Sequence, residues 1–595
     1  MVVRTGTTTP PHARVRDTES QSLGGTIVES IEKFDLVFWR RLWVLLKPYW
    51  VSDQKNKALG LLGLVIALAL IMIGFQAVFS YVNRDFINAL QNYNAVRFHK
   101  LILLFVIYIA VAIPVLPLFP YLSGRLSILW REWMTRRFTD FGFKDHAFYQ
   151  MNLTGRVDNP DQRIQEDLNS FSSSTLTYGL SALSSIVTGA TFFGILWTIS
   201  PWLAWSLVGY SVLGTYAAIT VGRRLVPINF DQQRYEADYR FGLVHVRDNA
   251  EPIAMYGGEA QETGELMRRF SWVVSNFKLL LRWQLFLGFV TTAYDTSVVL
   301  IPWLVLAGVY FAHKIQLGQI MQAAYAFGVV QNALALIIDQ FQSLTNYATV
   351  VHRLGTFIEE CEAAGADPGI RINEQRCIAV DNLTLKTPDQ RNTLLVKLSA
   401  KVGEGERLLI TGPSGAGKTA LMRAIAGLWR TASGQITRPP LHEVMFLPQR
   451  PYLILGSLRA QLCYPRASGL SDEVLRRELS RVNLLDLLDR IGGLDAEFNW
   501  PDVLSGGEQQ RLAFARLFLN QPLFAFLDEA TSALDPVNEA MLYRRLAATP
   551  ITFVSAGHRE SLAEYHNCNL ELTGDGSWRL LSISEQPLAL RPGST

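Results

Sequence analysis

The stretch "GPSGAGKT", from Gly412 to Thr419, has the residue types and spacing of a phosphate-binding loop. It follows an apolar segment, "RLLITG", and precedes a predicted helix, "ALMRAIAGLW". Its three glycines let the backbone curl so that successive N–H groups point inward at a helix N-terminus, where anions are favoured. We expect Lys418 to neutralise the β- and γ-phosphates of a nucleotide and the Thr419 hydroxyl to hold Mg²⁺.

Two acids follow a second apolar segment in "LFAFLDEATSALD". Asp528 emerges at the predicted strand end, where it can bind Mg²⁺, and Glu529 can polarise an attacking water. The alternative for Glu529 is a solvated acid at a strand end, which the nearby phosphate loop disfavours.

A third group of residues opens a predicted helix in "LSGGEQQRLAFAR". Ser505, Gly506 and Gly507 stand at the helix start, which is another anion-binding geometry, although Gly-Gly before a helix is by itself usually only a turn. Gln449 in "FLPQRPY" and His558 in "SAGHRE" are unremarkable alone, yet each falls in the expected order.

Together these motifs resemble an ATP-binding-cassette nucleotide-binding domain, over residues 370–575. The resemblance implies ATP hydrolysis coupled to transport, with ATP and Mg²⁺ as cofactors, Glu529 as catalytic base, Gln449 as γ-phosphate sensor and His558 as switch histidine. Thr419, Gln449 and Asp528 are the implied metal-site residues. The implied nucleotide-contacting residues are Gly412, Pro413, Ser414, Gly415, Ala416, Gly417, Lys418, Thr419, Ser505, Gly506, Gly507, Glu508 and Asp535. One departure is that "LTLKTP" (383–388) lacks the aromatic that many such domains stack on adenine.

The composition of the chain is typical of a membrane protein, and the long apolar stretches lie in its N-terminal part. The 595 residues are 49% hydrophobic and 18% charged. Six apolar stretches are long enough to cross a bilayer: 58–82, 101–128, 175–199, 202–222, 284–311 and 318–345. Lys and Arg concentrate before the first stretch, between the second and third, and between the fourth and fifth, which predicts that both termini are cytosolic. The stretches therefore predict a six-span helical transmembrane domain followed by an α/β P-loop domain. The resemblance implies that the transmembrane domain is of ABC exporter type.

The chain divides into three predicted parts: a disordered cytosolic tail (1–30), a transmembrane domain with long cytosolic helical extensions (31–350) and a nucleotide-binding domain (351–595). The net charge of +3 is too small for nucleic-acid binding. The four cysteines show no metal-ligand spacing, so we expect them to be reduced and structural.

A polar peptide, "NPDQRIQED" (159–167), lies in the first cytosolic loop. Asn159-Pro160 predicts a turn and Asp161 the cap of a short helix, with the charges held in water and against the ATPase. The alternative is an ordinary exposed, capped helix. With "EPIAMYGGEAQE" (251–262) and "FLPQRPYLILGSLRAQLCYP" (446–465), the peptide is similar to the bacterial BacA/SbmA-like transporters, associated with cobalamin and peptide uptake, and to the related peroxisomal fatty-acyl transporters.

In the nucleotide-binding family, each ATP lies between the phosphate loop of one domain and the "LSGGE" of another. The chain carries one copy of each motif, which implies a homodimer. The predicted spans place this homodimer in a lipid bilayer, and the resemblance to bacterial transporters implies the bacterial inner membrane.

The cargo is indicated by polar residues in the predicted spans. Asn332, Asp339, Gln342 and Asn346 follow helical spacing, and Asp295 lies midway along the fifth span. Such groups favour a wet cavity for large hydrophilic cargo such as cobalamin or peptides, with import implied by the resemblance; the alternative is that they hydrogen-bond between helices. Two other functions stay open: transport of fatty-acyl or other lipid cargo, and an ATP-gated channel or regulator.

Overall fold

The structure, a computed structural model, describes residues 36–222, 224–365, 370–465, 469–557 and 559–582, without some side chains between 215 and 226, between 336 and 342, and at 560. The predicted tail (1–30) and His558 lie outside the described residues. Two compact units are present. The first comprises residues 36–142 and 158–359, and the second comprises 143–157 and 360–582.

Helices make up the described chain from residue 36 to 364. They are α1 Leu36–Val51, α2 Lys55–Gln91, α3 Ala95–Val115, α4 Leu118–Phe143, α5 Ala147–Thr154, α6 Pro160–Gln162, α7 Leu168–Ile199, α8 Pro201–Gly222, α9 Leu225–Asp248, α10 Ala250–Tyr256, α11 Glu259–Ser297, α12 Leu300–Phe311, α13 Leu317–Asp339 and α14 Phe341–Ala364.

Four helical stretches in the described part of the chain are long and apolar enough to cross a membrane: Lys55–Gln91, Ala95–Thr154, Pro160–Ile199 and Glu259–Phe311. They contain the first, second, third and fifth predicted spans. The predicted spans 202–222 and 318–345 fall on α8 and on α13 with the start of α14, and the count of six remains a prediction. Large apolar side chains such as Leu104, Ile113 and Trp202 are exposed, as expected for helices that face lipid.

Gly214 lies at one of the close helix contacts within the first unit. A Cβ atom at Gly214 in α8 would lie 2.1 Å from the ring of Tyr294 in α11. The ring of Tyr210 stacks on the same tyrosine at 4.6 Å, and its hydroxyl donates to the Tyr294 carbonyl. The missing side chain at Gly214 therefore lets the two helices approach at this point.

The polar peptide 159–167 differs from its prediction. The N-cap position of α6 is Asn159, which makes no side-chain cap hydrogen bond, and Asp161 lies inside the first turn, because Pro160 takes the first helical position. Residues Arg163–Asp167 form a π-helical turn, and both of these end residues are buried. The prediction that Asp161 caps the helix is therefore wrong. The prediction that the charges lie in water is wrong for Arg163 and Asp167, whereas Asp161 and Glu166 are exposed as expected.

Buried Arg163 is surrounded by acceptors of its own unit. Its guanidinium donates to the Arg353 carbonyl at 2.5 Å, to Thr356 Oγ1 at 2.7 Å and to the side chain of Asp158. Arg353 in turn pairs with Asp167 at 3.1 Å. These contacts fasten the polar peptide to α14, since a buried charge needs partners for most of its hydrogen-bonding groups.

The second unit contains two sheets. The described strands are β1 Ile370–Glu374, β2 Ile378–Lys386, β3 Thr393–Val402, β4 Arg407–Thr411, β5 Ala432–Arg438, β6 Val444–Leu447, β7 Phe524–Asp528, β8 Thr552–Ala556, β9 Cys568–Leu572 and β10 Trp578–Ser582. They are joined by α15 Lys418–Ile425, α16 Leu458–Cys463, α17 Asp472–Arg481, α18 Asp486–Ile491, α19 Trp500–Val503, α20 Gly506–Asn520 and α21 Pro536–Ala547. The larger sheet has the order β10-β9-β4-β8-β7-β6 and is parallel except for β10. The smaller sheet has the order β1-β5-β2-β3.

Parallel strands β4 and β7 carry the candidate site. The sequence of β7 is apolar on both faces, and Phe524, Ala525, Phe526 and Leu527 are all buried, as expected for a central parallel strand. The loops after β4 and β7 leave the carboxyl ends of these strands, where open parallel sheets bind ligands. The four cysteines are free thiols, as predicted.

Segment 143–157, from the first cytosolic loop, belongs to the second unit. Ala147, Gln150 and Met151 of α5 are buried, and Gln150 Nε2 donates to the Leu428 carbonyl at 3.0 Å. This short helix is therefore an integral part of the unit that carries the two sheets.

Candidate functional site

The phosphate loop joins β4 to α15. Gly412, Gly415 and Gly417 have φ values of 140°, 82° and 98°, a region that residues with a side chain rarely adopt. A Cβ atom at Gly412 would also lie 2.2 Å from the carbonyl oxygen of Leu572. These glycines therefore allow the tight turn between β4 and α15 that the sequence predicted, and the inward direction of the N–H groups stays a prediction.

Lys418 lies inside the curl of this loop. It is 7% exposed, and its Nζ donates to the carbonyls of Gly412 at 2.7 Å and Pro413 at 3.1 Å. Burial lowers the pKa of Lys418, and the nearby carboxylates of Glu529 and Asp528 act in the opposite direction. The ammonium group is thus held where a phosphate cradled by the loop would meet it.

Thr419 and Asp528 form the candidate metal site. Thr419 Oγ1 donates to Asp528 Oδ1 at 3.1 Å, so the hydroxyl at the helix start and the carboxylate at the end of β7 lie side by side. Burial raises the pKa of Asp528, and the Thr419 hydrogen bond counteracts part of the rise. A hydroxyl and one carboxylate are hard oxygen donors that suit Mg²⁺, which usually takes only one or two protein carboxylates beside phosphate and water ligands.

Glu529 has an unusual backbone. Its φ of 48° lies in the left-handed region, which costs a residue with a side chain about 1 kcal/mol or more. Its N–H donates to the Ala556 carbonyl at 3.0 Å, and its carboxylate Oε2 accepts from Gln449 Nε2 at 2.9 Å. These contacts hold the carboxyl group next to the end of β7 in one orientation.

Ser505 caps α20 in a reciprocal capping box with Glu508. The Ser505 N–H donates to Glu508 Oε2 at 2.9 Å, and Arg490 pairs with Glu508 Oε1 at 2.9 Å. Burial acts to raise the pKa of Glu508, but the Ser505 and Arg490 donors hold the pKa below its usual value. The Glu508 side chain thus contacts its own helix start, while Gly506 and Gly507 carry the N-terminal amides.

Asp535 is likewise a helix cap. Its carboxylate accepts from the backbone N–H groups of Val537 and Asn538 at the start of α21, each at 3.0 Å. The Asn538 hydrogen bonds lower the pKa of Asp535. Both carboxylate oxygens accept hydrogen bonds from the chain's own residues, so the segment 532–535 enters α21 with a fixed geometry.

Two polar groups near the site were not singled out from the sequence. Gln510 is buried on α20 and bonds to the segments around Gln449 and Ser532. Glu539 is buried on α21 and accepts from Thr531 at 2.7 Å and Arg559 at 3.0 Å. Helical spacing could have indicated Gln510, because it shares an apolar face with Phe514 and Leu517.

Comparisons with known proteins agree with this organisation. The family description "ABC transporter transmembrane region 2" matches residues 45–311, and "ABC transporter" matches residues 395–532. An uncharacterized ABC transporter ATP-binding protein of Synechocystis is 43% identical over 541 residues, covering 88% of this chain and 82% of that protein. ABC transporter D family member 2, chloroplastic, of Arabidopsis thaliana is 37% identical, covering 92% and 89%.

Two further similarities concern a named transporter and the fold. The human lysosomal cobalamin transporter ABCD4 is 32% identical over 602 residues, covering 93% of this chain and 97% of that protein. The structure of a bacterial Atm1-family ABC exporter with ATP bound is similar with a TM-score of 0.69 and 18% identity, covering 88% and 94%. The latter similarity shows the exporter fold alone.

The chain belongs to the ABC transporter family, with a membrane region and an ATP-binding region fused in one polypeptide. Within that family it is related to the D-family transporters. It is an ATP-driven membrane transporter, and its ATP hydrolysis is coupled to transport.

Proposed function

We propose that this transporter is a homodimer that moves large hydrophilic cargo, such as cobalamin or peptides, with import as its direction. The observation that carries the proposal is similarity along nearly the whole chain to a protein named as a cobalamin transporter. The peptides 159–167, 251–262 and 446–465 support placing it with the BacA/SbmA-like transporters.

A polar contact within the first unit supports a hydrophilic cargo. Asp295 in α11 accepts a hydrogen bond from buried Gln331 of α13 at 3.1 Å. The same contact also fits the alternative in which polar groups hydrogen-bond between helices. The predicted stripe is interrupted, because α13 ends at Asp339 and α14 begins at Phe341. Asn332 and Asn346 lie on either side of this interruption and are exposed.

At the ATP site, we assign the phosphates to the loop Gly412–Thr419 and charge neutralisation to Lys418. Glu529 acts as the general base because its carboxylate is held by Gln449 at a strand end. His558 stays the proposed switch histidine. Thr419, Asp528 and Gln449 would hold Mg²⁺, which would neutralise the developing phosphate charge when bound.

Dimerisation follows from the motif count. Each chain supplies one phosphate loop and one helix start at Ser505–Gly507. Each ATP would be enclosed between the phosphate loop of one chain and the helix start of the other chain. Ser505, Gly506, Gly507, Glu508 and Asp535 are therefore assigned to the ATP of the partner or to the dimer contact. We place the transporter in the bacterial inner membrane with cytosolic termini. We keep the proposed parts 1–30, 31–350 and 351–595, except that segment 143–157 belongs to the unit with the sheets and residues 351–359 belong to the first unit.

Uptake of radiolabelled cobalamin tests the proposal. The assay uses cells that lack their own cobalamin importer and compares the wild-type chain with Glu529→Gln at matched membrane levels. Uptake by the wild type alone supports an ATP-driven importer of this cargo. Absence of uptake by folded wild-type protein contradicts it.

A second assay then separates the alternatives. Stimulation of ATPase activity by acyl-CoA, without stimulation by corrinoids or peptides, would establish lipid cargo. Solute flux that persists equally in the Glu529→Gln variant would indicate an ATP-gated channel.

A further inference from the structure

Gln510 is a buried amide at the centre of the ATP-binding unit. Only 3% of the residue is exposed, and it lies on α20 one and two turns before Phe514 and Leu517, which are also buried. A polar side chain on an apolar helical face is costly unless it is hydrogen-bonded. Its contacts therefore explain why a glutamine can occupy this position.

The amide joins two loops to α20. Gln510 Nε2 donates to the Gln449 carbonyl at 3.0 Å and to Ser532 Oγ at 3.1 Å. Gln510 Oε1 accepts from the Ala533 N–H at 2.9 Å. The amide nitrogen and the amide oxygen of Gln510 are both hydrogen-bonded, so the helix and the two loops are held in one relative arrangement.

Glu529 lies between the two loops that Gln510 holds. Its carboxylate accepts from the side chain of Gln449, and its backbone carbonyl accepts from the Ser532 N–H at 3.0 Å. The left-handed backbone of Glu529 needs such external support, because strained conformations persist only where the surroundings determine them. Gln510 contacts Gln449 and Ser532, and through these two residues it can influence the position of Glu529.

The start of α20 packs on the same segment. A Cβ atom at Gly507 would lie 3.2 Å from the Ala533 carbonyl oxygen, and one at Gly506 would lie 3.4 Å from Ala533 Cβ. The helix start and the segment 532–535 therefore lie close together, so a movement of the helix start toward this segment would displace it.

We propose that Gln510 is a positioning residue that links the helix start at Ser505–Gly507 to the carboxylate of Glu529. The inference rests on the proposed homodimer, in which the helix start meets the ATP held by the partner. Closure on that ATP is then transmitted through α20 and Gln510 to the base that serves the chain's own ATP. The two ATP sites thereby become cooperative.

The test is steady-state ATPase kinetics of the full-length protein in lipid nanodiscs. Gln510→Met keeps the length of the side chain and removes its amide. We expect kcat to fall about 10-fold to 100-fold, with the KM for ATP nearly unchanged, because a displaced base impairs chemistry more than binding. The Hill coefficient for ATP is expected to fall to about 1.

The matched control is Gln509→Met on the same helix. The Gln509 side chain donates to the carbonyl of Leu504, just before the helix cap, at 2.9 Å. The Gln509→Met variant should retain the wild-type kcat and Hill coefficient. A wild-type kcat and Hill coefficient in Gln510→Met would overturn the inference. A Hill coefficient of about 1 in the wild type would also overturn the inference, because the two sites would then be independent. A monomer by light scattering would instead contradict the proposed homodimer, and failed cobalamin uptake would contradict only the cargo.

A second variant separates positioning from a general loss of stability. Ser532→Ala removes one partner of Gln510, so its loss of kcat should not multiply with that of Gln510→Met in the double variant. Multiplied losses would show that the residues act independently and would overturn the inference. If Gln510→Met does not fold, Gln510→Glu keeps the acceptor for Ala533 and should still lose kcat; wild-type kinetics would contradict the proposal.

Discussion

Gln449 and Glu529 lie 80 positions apart in the sequence and are joined by a hydrogen bond of 2.9 Å between the amide nitrogen and the carboxylate. Because the amide donates to Oε2, it fixes the orientation of the carboxylate that is proposed to accept a proton from water. The pair thus connects the loop after β6 with the end of β7 at the point where phosphate chemistry is proposed.

The first prediction concerns Glu529→Gln. The amide oxygen can still accept from Gln449, so the geometry is kept while the proton acceptor is lost. ATP turnover should fall at least about 100-fold, whereas binding of a fluorescent ATP analogue should change little. Normal hydrolysis by this variant would remove Glu529 from its assigned role.

The second prediction concerns Gly412→Ala. The new methyl group would stand 2.2 Å from the Leu572 carbonyl oxygen at a φ of 140°, so the loop must shift. We expect ATP affinity to fall at least about 10-fold, equivalent to a strain above about 1 kcal/mol. In the control Gly403→Ala, the nearest atoms of Glu406 lie at 3.7 Å, an ordinary contact, and ATP affinity should be unchanged. Equal ATP affinities of Gly412→Ala and the wild type would contradict the close approach of Gly412 to Leu572.

The third prediction concerns the polar peptide of the first cytosolic loop. Arg163→Ala removes the buried guanidinium that donates to Thr356 Oγ1 and to the Arg353 carbonyl, and should destabilise the first unit by about 3 kcal/mol. Asp161→Ala changes an exposed residue of the same peptide and should stay within about 0.5 kcal/mol of wild type. Thermal unfolding of the purified protein measures the difference, and similar melting temperatures would show that the buried contacts contribute little.

The fourth prediction is a pH dependence from His566. Burial lowers the pKa of this histidine to about 4, and its ring lies 2.7 Å from the Leu562 carbonyl and 3.0 Å from Ser555 Oγ. Below the unfolded pKa of about 6.5 the unfolded chain takes up a proton that the folded chain refuses, so stability falls as the pH is lowered toward 4. The loss should reach about 3 kcal/mol.

Urea unfolding of the full-length protein between pH 7 and pH 4.5 tests this expectation. His566→Gln should lose this part of the pH dependence. His442→Gln is the control, because the side chain of His442 is 76% exposed and its loss should leave the slope unchanged. The same slope in wild type and His566→Gln would contradict the assignment.

Local chemistry made the phosphate loop predictable. The spacing of Gly412, Gly415 and Gly417 requires positive φ angles after a strand, and the structure has them. The apolar character of β7 likewise predicted a buried strand ending at Asp528. The left-handed backbone of Glu529 was not predictable, because it depends on hydrogen bonds to Ala556 and Ser532. Ala556 is distant in the sequence, and the bond to Ser532 exists only once the turn has formed.

The polar peptide shows the opposite case. Composition alone placed Arg163 in water, since charged residues are mostly exposed. Its burial depends on acceptors from Arg353 and Thr356, about 190 residues away, whose proximity no local pattern reveals. For the same reason, the sequence assigned segment 143–157 to the transmembrane domain, whereas its buried residues belong to the unit that contains the sheets.

The membership of segment 143–157 in the second unit has a consequence for dissecting the protein. A fragment that begins after residue 359 would lack α5, would leave the Leu428 carbonyl without its Gln150 donor, and would expose the surface on which Ala147 and Met151 are buried. Such a fragment should aggregate more readily than one supplied with a synthetic peptide of residues 143–157. The ATPase of this transporter is therefore a discontinuous module, assembled from two separate stretches of the gene.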